Sequence, residues 1–304
     1  MMKKVLFVAA VAMSLVFSGC MKEDDTYKKL KPVQPGLNIY TGAMNQNIVS
    51  MQQADFGMRL AMLVAEAAKQ DKSIDEVMTG SSSTPLKKTL LGNAKVEATT
   101  TGYKITFDSN YADIDSYTRT GTLLVNTNGA ALLSDASASW DITFEDKLTM
   151  GYSGGDMQAI TLTGGSTTLY NSGDRYGIDL QNQSSYIGRT TELTSNWSGE
   201  FSLKPENMDF TYTNCAGKKF MLNGSAQGTT FNTYDGTTAT AMYFRITDGE
   251  YYSTSRLYGG KVEARLEGYY NMSLYPSKDV TIEFSVEGTR LRQTISYNGY
   301  VVTI

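Results

Sequence analysis

The dominant pattern in the chain is alternation. In Lys261-Val262-Glu263-Ala264-Arg265-Leu266-Glu267, apolar and charged residues take turns without a break, the period of a strand with one face in a core and the other in water. Val280, Ile282, Phe284 and Val286 repeat it, with Thr281, Glu283, Ser285 and Glu287 between them. Val262, Ala264, Leu266 and those four apolar residues are therefore expected on one inner face. Leu291, Ile295 and Tyr297 lead into Asn298-Gly299 and then into Tyr300 to Ile304. Asn-Gly suits a two-residue hairpin because both positions tolerate positive φ, so these last two runs should pair directly. Similar dipeptides recur at Asn128-Gly129, Gly154-Gly155, Gly164-Gly165, Asn223-Gly224, Asp235-Gly236, Asp248-Gly249 and Gly259-Gly260. Each is expected to mark a tight turn between sequence neighbours, which makes residues 93–304 an antiparallel β-meander.

Residues 37–92 follow a different period. Met44, Ile48, Met51, Asp55, Met58 and Met62 step by three or four, with Phe56, Leu60 and Leu63 along the adjoining row. Good helix formers fill the gaps as far as Lys69, so a helix is expected whose methionine-rich stripe packs on the sheet. Ser73-Ile74-Asp75-Glu76 is a capping box that opens a second, short helix, and Gly80 to Ser83 break the chain. The fold class expected is mainly β with an α+β character: a large antiparallel meander, as a curled sheet, sandwich or soluble barrel, with an N-terminal helix packed against it. A membrane barrel would need apolar outward rows between aromatic girdles. The outward rows here are Lys-Glu-Arg-Glu over 261–267 and Thr-Glu-Ser-Glu over 281–287.

The first residues form neither strand nor core helix. Lys3 and Lys4 precede an apolar run from Val5 to Phe17, then Ser18-Gly19 and Cys20. The run is shorter than the roughly 20 residues a bilayer core demands and has the charge and small-residue flanks of a secretory signal. Residues 1–19 are read as that signal. Residues 20–36, with Lys28, Lys29, Lys31, Pro32, Pro35 and Gly36, are read as an extended tether.

Three segments resemble known bacterial proteins. Ser18-Gly19-Cys20 resembles the lipid-attachment site of bacterial lipoproteins, in which the cysteine is diacylated and becomes N-terminal; Phe17 stands where Leu is usual. Lys22-Glu23-Asp24-Asp25 resembles the acidic export tag of Bacteroidetes lipoproteins displayed on the outer face of the outer membrane. Tyr103 to Asp108, Asp113 to Gly121 with Arg119, Leu123 to Val125 and Trp140 to Phe144 are similar to a β-meander block of uncharacterised Bacteroidetes surface lipoproteins. The resemblance implies an anchor in outer-membrane lipid through acylated Cys20, with the folded part facing the cell exterior. It implies no chemistry. Several acyl chains hold a protein to a bilayer without a spanning segment, since each buried CH₂ contributes about 0.8 kcal/mol.

Composition narrows the chemistry. Histidine is absent, which removes an imidazole base, Ser-His-Asp and Cys-His arrangements and zinc sites with His ligands. Loss of residues 1–19 takes away Lys3 and Lys4 and no acid, so the net charge of −4 becomes −6, and no nucleic-acid partner is expected. With Cys20 acylated, Cys215 is left without a disulfide partner and is read as a small buried hydrophobe. No cofactor is implied. Asp108, Asn110, Asp113 and Asp115 form an oxygen-rich loop that calcium could use, although without EF-hand spacing. Trp140 alternates with Ile142 and Phe144 and reads as core. Trp197, between Ser195-Asn196 and Ser198-Gly199, reads as the candidate exposed platform for a sugar ring.

These features point to a non-enzymatic binding or accessory protein of the cell surface, with a surface glycan or an outer-membrane protein complex as partner. The alternatives are a surface hydrolase working with carboxylates alone and a fimbrial or structural subunit. The anchor is directly testable. Cys20→Ala is expected to abolish incorporation of a metabolic lipid label and release the protein from the outer membrane; a label that persists contradicts the lipoprotein reading. Replacing Lys22, Glu23, Asp24 and Asp25 by alanine should remove the protein from the reach of protease added to intact cells.

Overall fold

Among the described residues, fourteen strands pair into one antiparallel sheet whose spatial order follows the sequence. The computed structural model describes residues 53–79, 90–108, 117–152, 160–187, 192–215, 218–232, 238–252, 258–270, 273–287, 290–297 and 300–303. The strands are β1 (Lys95–Ala98), β2 (Gly102–Phe107), β3 (Tyr117–Asn126), β4 (Ser139–Phe144), β5 (Leu148–Tyr152), β6 (Ile160–Asn171) and β7 (Tyr176–Ile187). They continue as β8 (Glu192–Lys204), β9 (Lys219–Asn232), β10 (Thr238–Tyr252), β11 (Tyr258–Tyr270), β12 (Ser273–Glu287), β13 (Arg290–Tyr297) and β14 (Tyr300–Thr303). Helix α1 runs over residues 53–70, followed by α2 (Ile74–Thr79) and, between β8 and β9, α3 (Tyr212–Cys215).

Pairing departs from a plain meander at one place. β4 and β5 both lie between β3 and β6, as two halves of a single lane broken at Glu145–Lys147. The position on β3 facing the break is Gly121, at φ 128°, where a Cβ would run into the Lys147 carbonyl and lie 3.1 Å from Leu148 Cα. Only glycine fits there.

The turn dipeptides divide into two groups. Tyr297 pairs with Tyr300 across Asn298-Gly299, the direct hairpin expected. Asn128 and Gly129 take φ 51° and 81°, and the Ala130 N–H donates to the Thr127 carbonyl at 3.0 Å, as in a type I′ turn. In contrast, Gly164-Gly165, Asn223-Gly224, Asp248-Gly249 and Gly259-Gly260 lie inside β6, β9, β10 and β11. Two of them sit at register shifts, between Leu162 and Gly164 and between Ile246 and Gly249, so they bend long strands instead of ending them. At the second shift the Asp248 N–H, out of the ladder, donates to Asn223 Oδ1 at 2.8 Å. Gly154-Gly155 and Asp235-Gly236 lie outside the described residues, as do the side chains of Val262, Ala264, Leu266, Val280, Ile282, Phe284 and Val286. Register does set Val262 opposite Ile282 and Ala264 opposite Val280.

The helix sits deeper than a single apolar stripe implies. Every residue from 53 to 67 is buried, which requires cover on all sides of α1. Phe56, Met58, Leu60, Met62 and Leu63 join one core with Ile105, Leu123, Val125, Trp140, Ile142, Leu169 and Ile178, so α1 shares a core with strands from β2 onward to β9. A Cβ at Gly57 would collide with Ile142 Cδ1 and come within 2.7 Å of Leu169 Cδ1. That close approach accounts for a glycine in mid-helix, where it costs about 1 kcal/mol relative to alanine.

Total burial also encloses charge. Arg59 Nε lies 3.0 Å from Asp55 Oδ2, one turn earlier on α1, and an Arg59 terminal nitrogen donates to the Leu90 carbonyl at 2.7 Å. Arg119 enters from β3 and is itself buried. Both guanidiniums lie over the Phe56 ring, at 5.5 and 5.0 Å from its centroid, and Phe56 meets Phe107 edge-on at 4.7 Å. Burial raises the Asp55 pKa, and the charges of Arg59 and Arg119 oppose the shift. Near the other end of α1, Glu66 accepts from the Thr213 N–H and hydroxyl, each at 2.9 Å, and from Gln70 at 2.8 Å. Burial works to raise the Glu66 pKa, but these bonds and Lys69 together bring it below its ordinary value. The capping box forms as expected: the Ser73 N–H and hydroxyl donate to Glu76 at 2.8 and 2.7 Å, and the Glu76 N–H donates back to Ser73 Oγ at 3.2 Å.

Removing the anion from the Asp55 cluster takes a pairing charge from buried Arg59 and Arg119. Asp55→Asn is expected to lower stability by about 3–5 kcal/mol in urea unfolding, whereas Asp55→Leu combined with Arg59→Met and Arg119→Met should restore most of it. A loss for Asp55→Asn below about 1 kcal/mol, the scale of exposed pairs, would show that the cluster is hydrated.

Candidate functional site

Four of the described connections meet at one end of the sheet: the β1–β2 turn, the β3–β4 loop, the β6–β7 turn and the β8–β9 connection that carries α3. The β1–β2 turn and the start of the β3–β4 loop frame a groove of about 450 Å³, lined by Ala98 to Tyr103 and by Asn126, Thr127 and Gly129 to Ala131.

Both walls are fixed by their own hydrogen bonds. The Thr99 N–H donates to the Gly102 carbonyl at 2.8 Å and closes the first turn, and the Thr127 N–H donates to the Thr101 carbonyl at 3.0 Å and ties the second turn to it. Behind the second wall, the Asn128 N–H donates to Asn126 Oδ1 at 3.0 Å and Asn128 Nδ2 to Asp141 Oδ2 at 2.8 Å. The other Asp141 oxygen accepts from the Thr168 hydroxyl at 2.7 Å. Tyr103 joins the groove to the core: it is half-buried and its ring centroid lies 6.2 Å from that of fully buried Trp140. Burial raises the phenol's pKa above its ordinary value. Thr100 and Thr101 are exposed, and no described residue bonds to either hydroxyl. The lining side chains are hydroxyls, one amide, one phenol and small alanines, with no formal charge among them.

A second feature lies on the outer face. Register sets Asp179 of β7 directly opposite Glu200 of β8, and both are exposed. The Tyr170 hydroxyl reaches Asp179 Oδ1 at 3.5 Å. The Asp179 pKa is raised, by desolvation first and then by the neighbouring Glu200 charge, against the lowering bond from Tyr170. The pair stands on the sheet surface and does not line the groove.

The residues singled out from sequence fall elsewhere. Trp197 is only 3% exposed, which corrects its reading as an open sugar platform. It faces inward on β8, and a Cβ on opposing Gly228 would lie 2.8 Å from the indole, so the ring rests against glycine backbone. Its polar flanks misled because Ser195, two residues before it on the same face, is buried as well. Asp108 is exposed at the end of β2, at the end of the sheet away from the groove. Asn110, Asp113 and Asp115 lie outside the described residues, as do Cys20, Lys22, Glu23, Asp24 and Asp25. Cys215 is buried, and burial, with Asp209 and Glu66 adding, pushes its thiol up to about 12; such a thiol is inert near neutral pH. Sequence reasoning passed over Thr99-Thr100-Thr101, whose one signal was a hydroxyl run before Gly102. It also missed the Asp179–Glu200 pair, which only register brings together.

No helix among the described residues is long and apolar enough to cross a membrane. No family model matches the chain, and comparison with curated proteins and with solved structures gave no match.

Because Glu200 contributes to the shift of Asp179, Glu200→Gln should move the Asp179 titration midpoint downward in a carboxyl-carbon NMR titration. Desolvation remains in the variant, so the return is partial. An unmoved midpoint would show that the two carboxylates point apart.

Proposed function

We propose that the protein is a lipid-anchored outer-membrane protein, facing the cell exterior, that binds a ligand in the groove between the β1–β2 turn and the β3–β4 loop. The observation that carries this reading is a preformed, uncharged recess whose two walls are bonded to each other and whose free hydroxyls point to solvent. Such a recess binds without first ordering a loop, and most of the ordering cost of association is thereby avoided. Its lining supplies positioning groups and no acid, base or nucleophile poised for a chemical step. The tether over 20–36 and the acyl anchor at Cys20 would hold the recess away from the bilayer.

One observation favours hydrolysis by carboxylates as a second reading. Side chains directly opposite on neighbouring strands have Cβ atoms about 5 Å apart, near the roughly 5–5.5 Å between the carboxyl groups of retaining glycosidases. Asp179 and Glu200 hold such directly opposed positions, and Asp179 has a raised pKa. They stand exposed on a sheet face, without walls to hold a sugar ring between them, and this places the reading second.

The two readings separate in one experiment. Mature chain immobilised on resin is presented with solubilised outer-membrane material from the same cells. Wild type and Asp179→Asn are expected to retain the same component, and Thr100→Arg, which sets a long charged side chain in the groove without touching the core, should lose it. Retention unchanged by Thr100→Arg overturns the groove as the binding site. Cleavage of nitrophenyl glycosides by wild type and not by Asp179→Asn establishes the hydrolase instead.

A further inference from the structure

We infer that the groove takes a neutral saccharide, an assignment that rests on the groove being the binding site. Charge decides the first part. A ligand carrying a phosphate, sulfate or carboxylate needs a facing cation, and the nearby lysines are committed elsewhere: Lys104 to Glu145 and Lys95 to Glu97, each at 2.7 Å. A cationic ligand needs a facing carboxylate. Glu97, next to Ala98 in the chain, pairs with Lys95, and Asp141, behind the second wall, already accepts from Asn128 with one oxygen and from Thr168 with the other. An ionic ligand in this recess would be desolvated without compensation.

Hydrogen-bonding character decides the second part. Thr100 and Thr101 bring rotatable hydroxyls, each able to donate or accept. Beside them Thr99 Oγ1 accepts from the Thr101 N–H and the Thr127 hydroxyl donates to the Thr101 carbonyl, each at 3.4 Å. The Asn126 amide keeps its N–H groups at the same rim while its oxygen accepts from the Asn128 N–H. Sugar hydroxyls have the same dual character, so the match holds in either orientation of each bond. An apolar ligand would leave these groups unpaired. The remaining requirement is a flat apolar surface for the C–H face of a pyranose, and half-buried Tyr103, held by Trp140, is the one aromatic in the lining. Burial raises the phenol's pKa above its ordinary value. The volume of about 450 Å³ falls in the range of small-molecule sites, roughly 300–1,000 Å³. A shallow, wide recess of this kind grips one or two sugar units of a longer chain.

The test uses the full mature chain and calorimetry with maltohexaose, cellohexaose, mannohexaose, xylohexaose and N-acetylated chitohexaose. A heparin-derived hexasaccharide and de-acetylated chitohexaose serve as charged comparators. At least one neutral hexasaccharide is expected to bind, with the same affinity in 20 and 500 mM salt because no ion pair forms. Tyr103→Ala should weaken that binding at least tenfold. Should Tyr103→Ala unfold through its contact with Trp140, Thr100→Arg, which lies outside the core, should produce the same loss. Binding of none of the neutral oligosaccharides, tighter binding of a charged comparator, or full affinity in Thr100→Arg overturns the assignment. If oligosaccharides fail while membrane material is still captured in a Thr100→Arg-sensitive way, the groove stands as a binding site and the saccharide falls. If both fail, the groove falls with it.

Discussion

A helix enclosed on every side has no solvent in which to leave a charge, and α1 carries Asp55 and Arg59 within its buried part. The position of the helix inside the sheet depends on how those charges are met. Arg59 is one turn from Asp55 and belongs to the same helix, so that pair forms whether or not the sheet closes. Arg119 belongs to β3, and its burial beside Asp55 and above Phe56 is possible only with the helix in place. Desolvating a guanidinium is expensive unless an anion and an aromatic face are waiting. The cluster therefore ties α1 to β3. It also fixes the register of β3, because a slip of one residue would turn Arg119 outward and Thr120 inward.

The same helix reaches the loop end through Glu66. Its carboxylate accepts from the first turn of α3, and the Tyr176 hydroxyl, on β7, donates to the Met208 carbonyl in the same connection at 3.0 Å. Phe210 packs between Tyr176 and Phe220, at centroid distances of 4.6 and 5.7 Å. The rim is thus fastened to the core from two sides, and the groove inherits that rigidity through Tyr103 and Trp140. A recess built from turns is usually the mobile part of a β protein. Here the turns are tied to each other at Thr101–Thr127 and to the sheet at Asn128–Asp141, so the shape of the recess is held by the fold's own hydrogen bonds.

Local chemistry was legible in the sequence and distant meetings were not. The Ser73–Glu76 capping box and the Asn298-Gly299 hairpin rest on neighbours a few residues apart, and both form as expected. Alternation placed Trp140 and Ile142 inward correctly. Asn223-Gly224 and Asp248-Gly249 carry the same turn signature as Asn128-Gly129, yet they lie against each other as a bulge between β9 and β10. The dipeptide reports tolerance of unusual φ, and a bulge requires that as much as a turn does. The periodic stripe on α1 named its most apolar residues and gave no sign that Gln53, Arg59 and Glu66 would be buried too. Trp197 failed for a related reason: polar neighbours in sequence signal exposure only where the inner face is uniformly apolar, and here Ser195 and Asn182 share that face with it. Asp179 and Glu200, and the threonine turn with Thr127, are brought together by register, which a single sequence does not specify.

The Arg119-x-Gly121 segment shows how two residues of one strand serve the fold in different ways. Arg119 is the inward charge that meets Asp55, and Gly121 is the one position that tolerates the break between β4 and β5. Trp140, Ile142 and the strand of Leu123 to Val125 line the same core. These residues fill the core that α1 enters. Thr99 to Thr101 and Thr127 lie outside it, in the turns. A chain could keep every one of these core residues and change the turns, and it would keep this architecture with a different recess. The core residues set the fold, and the threonine-lined turns beside them set the shape of the recess.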